Sequence, residues 1–113
     1  MDNCLFCKIV KGEIPSKKVY EDEKTLAFYD IAPQAPVHVL VIPKKHIMDW
    51  NSGADDPETM ASLCQTVALV ARKCGVNESG YRIVSNCGSD ARQTVPHLHM
   101  HILAGSELNE KMA

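Results

Sequence analysis

The sequence predicts an α+β domain built on a mostly antiparallel sheet of about five strands. Three observations carry that prediction. Short β-branched runs alternate with turn residues on both sides of a single long helical pattern. The helical pattern has clear start and stop signals. The last apolar run alternates strictly, as a half-buried strand does.

In chain order, residues 4–11 (CLFCKIVK) carry Leu5, Phe6, Ile9 and Val10 and read as one or two helical turns, ended by Gly12 and Pro15. Residues 17–21 and 25–29 read as two strands around the polar turn at 22–24. Pro33 and Pro36 break the chain before VHVLVI, residues 37–42, a β-branched strand closed by Pro43. Residues 51–56 read as a loop. The long helix follows: Asp56 is a good N-cap, Pro57 fits the first helical position, and Met60, Leu63, Cys64, Val67, Val70, Ala71 and Cys74 form one apolar face up to Gly75. Residues 81–85 read as a strand, 86–92 as a polar loop, and 97–103 as the last strand. The helices are expected on one face of the sheet.

At 113 residues the chain is expected to form one domain, residues 1–113. Twelve basic and 14 acidic residues are interspersed, for a formal net charge of −2. No Lys/Arg run suggests nucleic-acid binding, and no apolar run is long enough to span a bilayer. The N-terminal residues lack the pattern of a signal peptide, so a cytoplasmic location is expected. Of five cysteines, Cys64, Cys74 and Cys87 read as buried or half-buried thiols.

Residues 96–103, PHLHMHIL, hold three of the five histidines at alternate positions. On a strand, His97, His99 and His101 share one face, about 6–7 Å apart in succession, while Leu98, Met100 and Ile102 face the long helix. Two chemistries use such a row. One is metal binding. The other is phosphorus chemistry, in which a neutral imidazole attacks and its neighbours steady phosphate charge. Gly88, Ser89 and Thr94 in the preceding loop could receive phosphate oxygens, and Asn86 adds an amide donor.

The motif His97-Leu-His99-Met-His101-Ile-Leu resembles the histidine-triad (HIT) signature, and the likeness extends from CLFCKIVKGEIPSKKVYED through LAFYDIAPQAPVHVLVIPKKHI to GSDARQTVPHLHMHIL. The chain is similar to the Hint-type branch, homodimeric purine nucleoside phosphoramidate hydrolases that work through a nucleotidyl-histidine. The resemblance implies a HIT-like fold with one long and one short helix, paired into a dimer. It implies His99 as nucleophile, His101 on the phosphate and leaving group, and His38 as a further active-site histidine. Asn86, Gln93 and Thr94 would hold phosphate oxygens and the departing group. Asp30 would bind the ribose hydroxyls, and Leu5, Phe6, Ile9, Ile14, Phe28, Tyr29 and Ile31 would line a base pocket. Read without the resemblance, Phe6, Ile9, Phe28 and Ile31 serve equally as core, and Asp30 as a cap. No organic cofactor is implied.

Cys4 and Cys7 form a C-x-x-C pair, which by itself fits redox chemistry or zinc. In similar bacterial histidine-triad proteins this pair joins two histidines, here His46 and His97, in a closed structural zinc site. Two departures stand out: Ala91-Arg92 where the family commonly has two glycines, and the C-terminal residues 104–113, AGSELNEKMA. Two rival functions stay open. One is a zinc-dependent hydrolase using the histidine row; the other is a nucleotide-binding regulatory or scaffold protein with little turnover.

Overall fold

The computed structural model describes residues 3–111. A five-stranded antiparallel sheet has strand order β1-β2-β3-β5-β4, with β1 at Lys18–Glu21, β2 at Thr25–Tyr29, β3 at Val37–Pro43, β4 at Arg82–Val84 and β5 at Met100–Ala104. Three helices accompany it: α1 at Leu5–Val10, α2 at Trp50–Gly53 and α3 at Pro57–Lys73.

Alternation along the strands divides the core in two. Ala27, Val39, Val41, Met100 and Ile102 pack against Leu63, Val67 and Val70 of α3. The residues between them, Leu26, Phe28, Leu40 and Ile42, pack against Phe6 and Ile9 of α1. The two helices therefore lie on opposite faces, which corrects the expectation of helices on one face. The reason is that β2 and β3 are apolar on both sides, so each face needs a cover. Burying a side chain such as Leu63 contributes roughly 1.5–3 kcal/mol.

Helix α3 begins as the sequence dictates. The Asp56 carboxylate accepts from the Thr59 N–H, Pro57 follows at the first turn, and Gly75 takes φ +73° just past the end. Two of its residues differ from expectation. Cys64 is exposed, and Thr66 is buried with its hydroxyl 2.8 Å from that of Thr25 on β2.

Two further departures have local causes. Residues 50–53 form a short helix because Asp49 accepts from the Ser52 N–H; Gly53 is buried there, where a Cβ would lie 2.9 Å from Met60 Sδ and 3.1 Å from Leu98 Cδ2. The last strand starts at Met100 rather than His97. Pro96 has no N–H to give, the His97 N–H turns back to the Val95 carbonyl, and the Leu98 N–H goes to the Ile47 carbonyl. The alternation survives this irregularity: Leu98 packs under α3, while His97 and His99 face α1.

Candidate active site

Antiparallel pairing of the central strands brings distant histidines together. Leu40 of β3 pairs with His101 of β5, and His38 with Leu103. His38 and His101 then reach each other on the α1 face, Nε2 to Nδ1 at 2.8 Å. The Gln34 backbone N–H donates to His38 Nδ1 at 3.0 Å. A backbone N–H only donates, so His38 Nδ1 must accept and its proton sits on Nε2. That Nε2–H in turn donates to His101 Nδ1, which leaves the Nε2–H as the remaining donor of His101. Asp30 Oδ2 lies 3.4 Å from His38 Nε2, and its Oδ1 accepts from the Ala32 N–H.

His99 is set the opposite way. Its Nδ1–H donates to the His97 carbonyl at 2.7 Å, so Nε2 carries the lone pair. The His99 carbonyl accepts from Ser85 Oγ at 2.9 Å, which pins the backbone beneath the ring. The His99 and His101 ring centres are 5.2 Å apart, and the Phe6 ring stands perpendicular to His99 with centres 5.1 Å apart.

Burial lowers the pKa of all three rings. At His99 the bond to the His97 carbonyl and the Asp30 carboxylate work against burial, and burial wins. At His101 the His99 and His38 rings reinforce burial and take the pKa to about 4. The site is thus a set of neutral imidazoles at neutral pH, one aiming a lone pair and one offering an N–H.

A second cluster adjoins it. Cys4 and Cys7 sit one turn apart at the start of α1, where the Cys4 sulfur caps the helix by accepting from the Cys7 N–H. The Cys7 sulfur is 3.1 Å from His46 Nδ1 and 3.5 Å from His97 Nδ1, and the Cys4 sulfur is 3.4 Å from His97 Nδ1. His97 Nε2 donates to the Pro43 carbonyl at 2.8 Å, which leaves Nδ1 unprotonated and facing both sulfurs. A tetrahedral ion with sulfur at about 2.3 Å and imidazole at about 2.0–2.1 Å has sulfur–nitrogen edges of about 3.5 Å. The four residues fit such an ion and could hold a metal.

The remaining predicted residues fall into three groups. Phe6, Ile9 and Phe28 are buried in the α1 core, with Ile14 packed against it. Leu5, Tyr29 and Ile31 are exposed, Ile31 completely. In the loop before the triad, Asn86 is half-buried and Thr94 exposed. Gln93 is spent on the backbone: its Oε1 accepts from the Gly88 N–H, and its Nε2 donates to the Met48 and Val95 carbonyls. Of the atypical C-terminal segment, residues 112–113 lie outside the described residues.

Three participants escaped the sequence reading: Ser85, the Gln34 backbone N–H and the Pro43 carbonyl. Each acts through a bond to another residue's backbone or ring, and no residue type or spacing marks it. Two surface concavities lie elsewhere. One, about 320 Å³, is lined by Lys18, Tyr29, Val37 and Cys74 among others; the second, about 420 Å³, by Tyr20, Lys24, Thr66 and Leu69 among others. Neither contains a histidine, so the chemistry of the side chains, rather than the size of a hollow, marks the site.

The pattern described as the HIT domain matches residues 11–108. A HIT-like protein of Azospirillum brasilense is 53% identical over 109 residues, covering 94% of this chain and 88% of its own. Among solved structures, a HIT family hydrolase from Clostridium thermocellum superposes with a TM-score of 0.94 at 44% identity, over 100% of this chain and 99% of that one. A histidine triad nucleotide-binding protein from Candida albicans gives 0.82 at 34% identity, over 98% and 87%. The chain belongs to the HIT domain family.

Proposed function

We propose that this protein hydrolyses purine nucleoside 5′-phosphoramidates and related nucleoside monophosphate derivatives, through a nucleotide held covalently on His99. The observation that carries the reading is the 2.7 Å bond from His99 Nδ1 to the His97 carbonyl, which reserves Nε2 as a nucleophile. Similarity to a HIT family hydrolase and to a histidine triad nucleotide-binding protein supports the reaction class and the ligand.

In the first step His99 Nε2 bonds to the α-phosphorus as the phosphorus–nitrogen bond breaks. The electron pair of that bond leaves on the amine, which takes a proton from solvent. The His101 Nε2–H donates to a phosphoryl oxygen as charge builds there. In the second step water attacks phosphorus, gives up a proton, and returns the lone pair to His99. His38 and Gln34 keep His101 in the donating tautomer. Asn86 and Thr94 would add phosphate contacts and Asp30 would accept from the ribose diol. Exposed Leu5 and Ile31, with Ile14 and the edges of Phe6 and Phe28, would flank the base.

Cys4, Cys7, His46 and His97 would hold a structural zinc ion that pins α1 to the sheet; with four protein ligands it has no open position for substrate. We read the chain as a single domain, working as a homodimer in the cytoplasm. Its five cysteines are unpaired thiols, as a reducing compartment favours. Among the described residues no helix is long and apolar enough to cross a membrane.

A catalytic metal on Asp30, His38 and His101 is the rival reading, because their ligand atoms also converge. The direct 2.8 Å bond between the two rings favours the metal-free reading, since it spends both nitrogens on each other. One experiment decides. The parent and His99→Ala are mixed with adenosine 5′-phosphoramidate, with and without chelator, then quenched and weighed intact. A nucleotidyl adduct on the parent alone, indifferent to chelator, supports the proposal. Turnover abolished by chelator under non-denaturing conditions supports the rival.

A further inference from the structure

Arg92 is the one non-glycine residue with positive φ among the described residues, at +62°. A side chain in that region costs conformational energy that glycine would not, and such cost persists where the residue does something. The loop that carries it is rooted at both ends on the histidine row. At its start Val84 pairs with His101 and Ser85 Oγ bonds the His99 carbonyl; at its end Val95 packs into the α1 core and leads into His97.

The hoop between is held in shape from within. The Arg92 N–H donates to the Ser89 carbonyl, the Gln93 N–H to the Gly88 carbonyl, and the Gln93 amide bridges Gly88, Met48 and Val95. Arg92 is therefore presented by a braced turn. Its side chain is exposed and takes part in no ion pair among the described residues. Between residues 85 and 96 it is the only cation, with Asp90 the only carboxylate.

Resting on the phosphoramidate reading above, we propose that Arg92 selects substrates whose leaving amine carries a negative charge. The guanidinium offers a planar fork of donors suited to a carboxylate. In the strand order β1-β2-β3-β5-β4 the loop leaves β4 on one side of the His38–His101 pair and Asp30 follows β2 on the other, so a cation on the loop is placed to act on the leaving group rather than on the ribose.

The test uses three adenosine 5′-phosphoramidates of matched length, made from β-alanine, β-alaninamide and 1,3-diaminopropane, so that the leaving amine is anionic, neutral or cationic. The readout is the ratio of kcat/KM for the anionic over the neutral compound, in the parent, Arg92→Gly and Arg92→Lys. Glycine suits the left-handed turn, so Arg92→Gly keeps the loop shape, and its thermal transition is measured beside the parent's. The expected result is a ratio above one in the parent that falls about fivefold in Arg92→Gly. Lysine retains it within about threefold, and raising ionic strength from about 0.02 to about 0.5 M compresses it in the parent and in Arg92→Lys but not in Arg92→Gly. A parent that turns over all three compounds alike overturns this inference and leaves the phosphoramidate reading standing. An equal loss on all three in Arg92→Gly would assign Arg92 to the α-phosphate and also overturns it. No turnover of any compound sinks both.

Discussion

The Nε2–H of His38 donates to Nδ1 of His101 across 2.8 Å, and this bond passes on to His101 the tautomer that the Gln34 N–H sets in His38. With His38 removed, His101 is free to place its proton on Nδ1 and to meet a phosphoryl oxygen lone pair to lone pair. His38→Asn is expected to lower kcat about tenfold to a hundredfold while adduct still forms on His99. His99→Asn is expected to lower turnover by about a thousandfold or more and to abolish the adduct. Quench-flow with intact mass measurement checks both.

Stability should depend on pH through the same ring. Burial, aided by the neighbouring His99 and His38 rings, lowers the His101 pKa to about 4, whereas an unfolded histidine titrates near about 6.5. Between those values the unfolded chain binds a proton that the folded chain refuses. The contribution is therefore complete above about pH 6.5 and is lost as pH falls toward 4. His38 shifts in the same direction. Urea titrations at pH 7.5 and 4.5 should show the parent losing about 1–2 kcal/mol more than His101→Asn. That is less than the full shift implies, because the half-exposed ring stays partly hydrated. Equal losses in the two proteins would refute the assignment.

Purified protein is expected to contain about one zinc per chain, and removing it should lower Tm by about 10 °C. That corresponds to a couple of kcal/mol for an ion present at about a hundredfold its Kd. Cys7→Ser and His46→Ala should each lose the metal. Cobalt added to the stripped parent should produce the visible spectrum of a tetrahedral site with sulfur ligands. Elemental analysis finding no metal, with no thermal response to zinc, would leave Cys4 and Cys7 as buried thiols.

The two sheet faces make separate predictions about the core. Leu63→Ala, at a fully buried position of α3, is expected to cost about 2–5 kcal/mol. Thr66→Val keeps the volume but removes one partner from the Thr25 hydroxyl, which retains Asp22 Oδ1 at 3.1 Å. It should cost only about 1 kcal/mol. Denaturant midpoints measure both.

What the sequence revealed was whatever has a period or a motif. The spacing of Leu63, Val67 and Val70 declared α3, and the alternation of residues 97–103 correctly separated Leu98, Met100 and Ile102 from the histidines. The strand boundary at Met100 was hidden, because two backbone bonds beside Pro96, from the His97 and Leu98 N–H groups, decide it and neither leaves a trace in residue type. The position of α1 is not legible, because Leu26, Phe28, Leu40 and Ile42 look the same in sequence whichever face they serve. Of the site, the histidines were visible and the groups that set their protons were not. The Gln34 N–H, the Pro43 carbonyl and the Ser85 hydroxyl are recruited by tertiary contact alone.

The Phe6 ring stands roughly perpendicular to those of His97, His99 and Phe28, with ring centres 5.9, 5.1 and 5.7 Å away. One aromatic side chain is thus the common wall between an imidazole beside two sulfurs and an imidazole with a free lone pair. A slight rotation of the first turn of α1 would be felt by both neighbours at once. Variation in this short helix is therefore expected to act on reactivity and on thiol geometry together, and a lesion in either will be hard to confine to one of them.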